Sequence, residues 1–427
     1  MKRNKLILLL LALSGVGQLL ILQSFNASML HAQKPVKYKT VLSEAKAAIK
    51  NVKNQANAEK NLLSIVNRED IKKEQRAEIY FYAEELQRSL NGAENMKLYL
   101  RQPYDTVKFF STILRMHDYM LLCDSVETIA NEKGVIKYHY RHKSRELMKT
   151  YRPNLRNGGT FLLKKGKYAE AYPYFDMYLS TALHPILSDE LEVANDTMLS
   201  RVAYWATISA YNANSPQQAL KYIDQAISGV PDTLHASLQE YKVRCYEALG
   251  DKDQWLRNLV KGVMYYPAHD YFYLHLMDEF DQQHKYEEGI VLCDSMLSRV
   301  GNRAIYWYGE SKMYLAKKDF DNTIRTADEA LSIDSTMTDA YYNKGISYLN
   351  KAIIFEETAC NDIRDPKCKA DRQTLQELYR NAKDPMEEVR RRSPEDTQRW
   401  ASPLYRIYLN LNMGNEFAEM EKILNAQ

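Results

Sequence analysis

The C-terminal half of the chain repeats its pattern of apolar and polar positions every 34 residues, in windows that start at Ala236, Asp270, Ala304 and Thr338. In the window from Ala304, positions 4, 11, 17 and 27 hold Trp307, Tyr314, Phe320 and Ala330. Because residues three and four apart share a helix face, this pattern predicts two helices of about twelve residues in each window. The turn between them is predicted at residues 317–319. A fixed period of this length is typical of stacked helix–turn–helix units.

Weaker copies of the pattern lie on both sides of these windows. Upstream windows start at Arg152 and Ser200, and residues 186–199 separate them. The second half of the Thr338 window comes 25 residues later than the period requires, with Tyr379, Ala382, Met386 and Val389 at its positions. This displacement predicts an insertion at about residues 352–374. A last helix pair is predicted at about residues 400–427, where it would cap the stack.

Residues 34–151 have apolar stripes of helical spacing but no clear period. We predict two to four diverged helix pairs here, with a turn at Asn91–Gly92 and a new helix after Pro103. No linker-like segment separates this part from the repeats, which favours one continuous superhelix over two domains.

The repeated windows resemble the tetratricopeptide repeat (TPR) family. Its pattern has an aromatic residue at position 4, Gly or Ala at 8, Tyr at 11, and Pro at 32. Tyr341, Gly345 and Tyr348 match it in the Thr338 window, and Pro267 matches it in the Ala236 window. The resemblance covers roughly residues 152–427. It implies an all-α fold, a right-handed superhelical solenoid of TPR-like helix–turn–helix repeats.

In TPR proteins the first helices of successive repeats line a concave groove. The resemblance therefore implies a partner-binding groove formed by Tyr204, Trp205, Tyr241, Arg244, Tyr271, His275, Tyr308, Lys312, Tyr342 and Asn343. A tyrosine offers a broad apolar face with a polar tip, and it loses little side-chain freedom on binding. The alternative is that these tyrosines only pack between helices. The basic clamp by which some TPR domains hold a peptide carboxylate is not visible in these positions.

The N-terminus has the features of an export signal. Lys2, Arg3 and Lys5 precede an apolar run from Leu6 to Leu22, and Ala32 offers a cleavage point before Gln33. Residues 1–32 are therefore predicted to be a signal peptide, and an uncleaved membrane anchor is the alternative. Their removal brings the net charge from +3 to zero, which argues against a global attraction for nucleic acid or an anionic membrane, so membrane contact is expected only if the N-terminal segment is not cleaved. We expect an exported protein, in the periplasm, with inner-membrane anchoring or secretion as alternatives.

A basic stretch before the repeats is a second candidate site. Lys137, Arg141, Arg145 and Lys149 recur every four residues, which predicts a stripe on one helix face. Such a stripe could hold an anionic ligand. The alternative is an ordinary solvated helix face.

The chain has five cysteines. Cys360 and Cys368 lie close together in the polar insertion and are the predicted disulfide pair of an exported protein. Cys123, Cys245 and Cys293 lie within helical patterns and are predicted to be buried.

No pattern of catalytic residues, metal ligands or cofactor-binding glycines stands out. We therefore expect no enzyme and no cofactor. The chain is predicted to be an interaction scaffold that binds a peptide or helix of a protein partner in the cell envelope. Alternatives are a glycan or cell-wall binding scaffold, or a membrane-anchored assembly component if the N-terminal segment is not cleaved.

Overall fold

A computed structural model describes residues 36–51, 54–190, 193, 195–360 and 366–426. Within these ranges the chain is built from α-helices and one short 3-10 helix, with no β-strand. The predicted signal peptide or anchor at residues 1–32 lies outside the described residues. None of the helices within the described ranges is both long enough and apolar enough to cross a membrane.

The chain divides into two compact units, with the boundary between Met148 and Lys149. We call them unit 1 and unit 2. No linker marks this boundary, because it falls inside one helix, α5 (Arg141–Lys164). It lies close to the predicted change from diverged to regular repeats between residues 151 and 152.

Unit 2 consists of consecutive helix pairs. After α5 come α6 (Tyr168–Leu183), α7 (Leu199–Asn212), α8 (Pro216–Ile227), α9 (His235–Ala248), α10 (Lys252–Tyr265), α11 (Asp270–Gln282), α12 (Tyr286–Val300), α13 (Ala304–Ala316), α14 (Phe320–Ile333), α15 (Thr338–Thr358), α16 (Pro366–Arg392), α17 (Thr397–Asn410) and α18 (Gly414–Asn425). The first helices α9, α11, α13 and α15 begin within one residue of the four predicted window starts. The turn predicted at 317–319 lies between α13 and α14. The all-α solenoid of helix pairs is thus confirmed.

Small residues let neighbouring helices of unit 2 approach closely. Gly262 on α10 faces the ring of Phe272 on α11, and a Cβ atom at position 262 would overlap that ring. Both residues are fully buried in a core that also contains Leu259, Tyr273 and Met296. The small and large residues that recur in the sequence are therefore the residues at which neighbouring helices touch. At such a contact, a small residue on one helix leaves room for a large residue on the next.

The insertion lengthens a helix pair. Helix α15 continues to Thr358, and α16 begins at Pro366, well before the displaced repeat signature. That signature is buried in the terminal core at Tyr379, Ala382, Met386 and Val389, as its spacing predicts. Residues 361–365 of the insertion lie outside the described residues. Helices α17 and α18 lie where the last helix pair is predicted.

Unit 1 begins with α1 (Tyr38–Ala48), α2 (Gln55–Ile65), α3 (Lys73–Tyr99) and α4 (Thr106–Glu127). Helix α4 follows Pro103 as predicted, whereas the predicted turn at Asn91–Gly92 is wrong because both residues lie inside α3. The Asn91 side chain is buried and donates hydrogen bonds to the Phe109 carbonyl oxygen at 2.8 Å and to Thr112 Oγ1 at 3.1 Å. These acceptors on α4 satisfy the amide that would otherwise favour a turn.

Candidate functional site

The first helices of three repeats bring five side chains of unit 2 into one row. We call Tyr211, Tyr241, Arg244, Tyr271 and His275 the aromatic row. The rings of Tyr211 and Tyr241 stack with their centroids 4.1 Å apart, and the Arg244 guanidinium lies 4.7 Å from the centre of the Tyr271 ring. The rings of Tyr271 and His275 are 4.2 Å apart. A ring stack thus links α7 to α9, and the contact of Arg244 with Tyr271 links α9 to α11.

Glu240 holds this surface in place. Arg244 Nε donates a hydrogen bond to Glu240 Oε1 at 2.8 Å, and His269 Nε2 lies 2.6 Å from Glu240 Oε2. The ion pair fixes the guanidinium over Tyr271, a geometry in which a cation is attracted to the ring face. Burial raises the pKa of Tyr271 to about 12, although Arg244 opposes this shift, so the phenol is neutral near pH 7.

A cleft of about 520 Å³ opens at one end of the row. Its walls are Tyr211, Arg244 and Glu247 together with the turn at residues 212–216. The cleft combines aromatic, cationic and anionic side chains with a helix–helix turn. Because its walls are polar and charged as well as aromatic, the cleft could take side chains of a bound chain.

The same face continues along α11, α13 and α15. Lys312 Nζ lies 2.7 Å from Asp278 Oδ1 and 3.4 Å from Asp281 Oδ2. Burial lowers the pKa of Lys312, but the hydrogen bond to Asp278 and the negative charges of Asp278 and Asp281 together raise it above its usual value, so the ammonium is charged. Tyr308 is half-buried beside it. Tyr342 lies under the Arg399 guanidinium at 4.4 Å.

Some predicted groove residues lie elsewhere. Asn343 is only 5% exposed and donates a hydrogen bond to Ser311 Oγ at 3.0 Å, so it joins α15 to α13 and does not line the surface. The prediction that Asn343 lines the groove is wrong. A polar side chain that is buried where two helices cross forms its hydrogen bond within the protein. Trp205 and Tyr204 are half-buried, and the Trp205 ring packs 5.9 Å from Phe175.

Tyr211 is a member of the aromatic row that was not predicted as a groove residue. Tyr204, Ile208 and Tyr211 are spaced four and then three residues apart, so they share one face of α7. That spacing could have placed Tyr211 on the same surface as Tyr204.

The predicted basic stripe does not lie on one helix face. The prediction is wrong for its first residue, Lys137, which is not helical. Helix α5 begins at Arg141, so Lys137 lies in the preceding non-helical segment. The buried carboxylate of Glu127 sets this start, because it accepts the backbone N–H groups of His139 at 2.6 Å, Tyr140 at 3.1 Å and Arg141 at 3.1 Å. Such an anion offsets the positive end of a helix.

Two other residues of the stripe are used inside the fold. Arg141 pairs with the buried Asp124 at 3.3 Å and lies 4.5 Å from the Tyr138 ring. Lys149 pairs with Glu190 at 3.0 Å. These contacts give both cations an internal role. Binding of an anionic ligand to Arg141, Arg145 and their neighbours stays a prediction.

The cysteines fall into two groups. Cys123, Cys245 and Cys293 are buried, and burial raises the pKa of the Cys245 thiol to about 11 and that of Cys293 to about 12. Cys360 follows the end of α15 and Cys368 lies in the first turn of α16, both partly exposed. The Cys360–Cys368 disulfide stays a prediction. Among the residues that the structure describes, no group of three His, Cys, Asp or Glu side chains is arranged to hold a metal ion.

The chain was compared with known proteins. No protein-family model matches it, and no curated protein does. Among solved structures it is similar to a TPR repeats protein from Bacteroides fragilis, with 17% identity over 61% of this chain and 96% of that one, at a TM-score of 0.29. It is also similar to the C-terminal part of a TPR repeat-containing protein from Cytophaga hutchinsonii, with 13% identity over 62% and 98% at 0.35, and to yeast Tom70, with 14% identity over 86% and 85% at 0.29.

The predicted TPR resemblance is confirmed. The assignment depends on the chain's own helix pairs, whose first helices begin at His235, Asp270, Ala304 and Thr338. The distance in sequence from one first helix to the next matches the period of TPR units. Buried large and small residues recur with the same period.

Proposed function

We propose that this chain is a non-enzymatic scaffold that binds an extended or helical segment of a protein partner on the face formed by the first helices of unit 2. The observation that carries the proposal is the aromatic row, in which Tyr211 stacks on Tyr241 while Arg244 and His275 both contact the Tyr271 ring. Aromatic side chains and arginine dominate the energetics of protein interfaces.

The row is ordered before a partner binds. Ring stacking holds Tyr241, and the ion pair with Glu240 holds Arg244 at 2.8 Å. Side chains that are already fixed lose little entropy when a partner arrives, so more of the contact energy remains as affinity. The apolar ring surfaces and Leu274 would contact side chains of the partner, and the cleft beside Tyr211 would take one of them.

The location that accompanies this proposal is the cell envelope, most simply the periplasm, because residues 1–32 have the features of an export signal. N-terminal sequencing of the mature protein tests it. A start near Gln33 would support export with cleavage, whereas an intact N-terminus would favour the membrane-anchored alternative.

Photo-crosslinking in the native envelope tests the binding face. A photoreactive phenylalanine in place of Tyr241 is expected to capture a protein. The matched control replaces Tyr265, an exposed tyrosine on α10 outside the row, and is expected to capture none. Equal capture at both positions would contradict the proposed face.

Glycan binding is the alternative that the same experiment separates, since aromatic faces also hold sugar rings. Attachment of Tyr241 to polysaccharide instead of protein would replace the peptide-binding proposal. Loss of the attached species in the Tyr271→Ala variant would show that the neighbouring ring belongs to the same site.

A further inference from the structure

The turn between α3 and α4 in unit 1 carries a compact group of exposed apolar side chains. We call residues 96–107 the hairpin tip. Tyr99 is 83% exposed and Leu100 is 54% exposed, and the other exposed apolar members are Met96, Leu98 and Val107. Scattered apolar residues on a surface are ordinary, but a contiguous group marks a place of interaction.

The polar contacts of α3 with other elements change along its length. Residues of α3 from Glu78 to Ser89 make polar contacts with α1, the turn after α1, and α5. The Ser89 hydroxyl donates to the Ile49 carbonyl oxygen at 2.7 Å, and Lys143 Nζ donates to Glu85 at 2.7 Å. Further along α3, Asn91 and Glu94 make theirs with α4 and its N-terminal turn. The last turns of α3 and the first turn of α4 thus form the end of a two-helix hairpin.

The hairpin tip is ordered by a buried carboxylate. Glu94 accepts the Asp105 backbone N–H at 3.1 Å and pairs with Lys97 at 3.0 Å and Lys108 at 3.3 Å. Arg101 takes the left-handed conformation, with φ of 57°, which reverses the chain after α3. The exposed apolar side chains are therefore presented by a well-connected turn.

Cationic side chains surround the apolar ones. Lys97, Arg101 and Lys108 lie within the same turn or beside it, and Arg101 is exposed. Of the two carboxylates here, Glu94 is buried between the two lysines, and Asp105 accepts the Lys108 backbone N–H at 2.9 Å as the cap of α4. The exposed groups at the tip are thus bulky apolar residues with the Arg101 cation and the Asp105 carboxylate, beside the partly exposed Lys97 and Lys108 that pair with Glu94.

We propose that the hairpin tip inserts into the surface of an anionic lipid bilayer. An exposed group of apolar side chains beside cations can enter the boundary between headgroups and acyl chains. Leu100 and Met96 would enter the acyl region, Tyr99 would keep its hydroxyl among the headgroups, and the exposed Arg101 would face lipid phosphates. This inference does not depend on the proposed binding face of unit 2.

Hydrogen exchange of the full chain tests the contact at the tip itself, apart from any binding by the N-terminal apolar segment. Vesicles of equimolar phosphatidylglycerol and phosphatidylcholine are expected to slow exchange in peptides covering residues 96–108. Vesicles of phosphatidylcholine alone are expected to slow it less, because the cations then lack a negative surface. Unchanged exchange in these peptides with the mixed vesicles would overturn the proposal.

Vesicle sedimentation of variants gives a second measurement. The double variant Tyr99→Ser/Leu100→Ser is expected to bind the mixed vesicles about tenfold more weakly, with unchanged thermal unfolding, because both side chains are exposed. The matched control, Met264→Ser/Tyr265→Ser, removes an exposed aliphatic and an exposed tyrosine from α10 and is expected to bind as the parent does.

Two outcomes would overturn the bilayer as the occupant. Equal weakening by both double variants would show a general loss of surface hydrophobicity. Absence of vesicle protection at residues 96–108, combined with concentration-dependent self-association that only the tip variant abolishes, would assign the tip to contact between copies of this chain.

Discussion

Both units have apolar cores, but among the described residues unit 1 buries six carboxylates and unit 2 buries two. In unit 2, a small residue such as Gly262 faces a large one such as Phe272, and the pattern returns every 34 residues. In unit 1, buried carboxylates make the decisive contacts: Glu59 accepts the Tyr119 hydroxyl at 2.5 Å, Glu94 ties the α3–α4 turn, and Glu127 caps α5. The pairing of small with large residues recurs along the chain, whereas each carboxylate contact occurs once and has its own partners.

This difference predicts different sensitivities. Unit 2 should respond most to changes of side-chain volume at helix crossings, since close-packed interiors do not absorb extra atoms. Unit 1 should respond most to loss of charge or acceptor atoms, since a buried polar group without its partner is costly.

The largest effect is expected for Gly262→Leu in unit 2. The new side chain would overlap the Phe272 ring, and we expect a loss of about 3 kcal/mol in the free energy of unfolding. Chemical denaturation of the full chain measures this. Gly92→Leu is the matched control on α3, where no atom lies within 4 Å of the new Cβ, and it should cause no loss.

The next effect is expected for Glu127→Gln in unit 1. The variant loses the negative charge and one acceptor oxygen facing three backbone N–H groups, which should cost about 2 kcal/mol. Thermal unfolding measures the change. Glu132→Gln, an exposed position in the following segment, should leave the midpoint where it is. Similar midpoints for both variants would contradict the capping role.

A smaller, pH-dependent effect is expected at Glu84 on α3. Burial, and then the negative charge of Glu85, raises the pKa of Glu84 to about 8, although Arg88 and Lys143 oppose the shift. The folded chain therefore holds this proton more tightly than the unfolded chain. Stability should fall by roughly 1–3 kcal/mol as the pH rises from about 5 to about 8.

Glu84→Gln should remove this slope, because the amide does not titrate. Denaturation midpoints at several pH values between 5 and 8 check it, with Glu74→Gln, exposed on the same helix, as the control. A parent and a Glu84→Gln variant with the same slope would show that Glu84 is ionised throughout this range.

The smallest effect is expected for Gly92→Ala, and its sign is opposite. Gly92 lies inside α3 with open space around its Cα, so a methyl group meets nothing and reduces the freedom of the unfolded chain. We expect a gain of about 0.5–1 kcal/mol. A loss at this position would mean that α3 does not continue through residue 92.

Much of unit 2 could be predicted because its signal is repeated. The window starts predicted from residues such as Ala304 and Thr338 coincide with the observed first helices. The insertion was found from the displacement of Tyr379 and Met386, but its helical continuation was not, since charged residues in a long helix look like a polar loop.

The binding groove itself stays a prediction. Of the residues predicted for it, Arg244 and His275 contact the Tyr271 ring, and Tyr241 stacks on Tyr211, which was not predicted, while Asn343 is buried. The angle at which two helices cross decides which of their polar residues faces solvent. A period in the sequence does not specify that crossing angle.

The sequence by itself determined the helix pairs of unit 2, because helix positions follow from the local spacing of large and small residues. Only the tertiary structure decided where the charges go. It assigned Arg141 to Asp124, started α5 at Arg141 through Glu127, and buried Asn91 against α4. Each of these contacts joins residues that are 14 to 21 positions apart in the chain or lie on different helices, and no local pattern encodes such a pair.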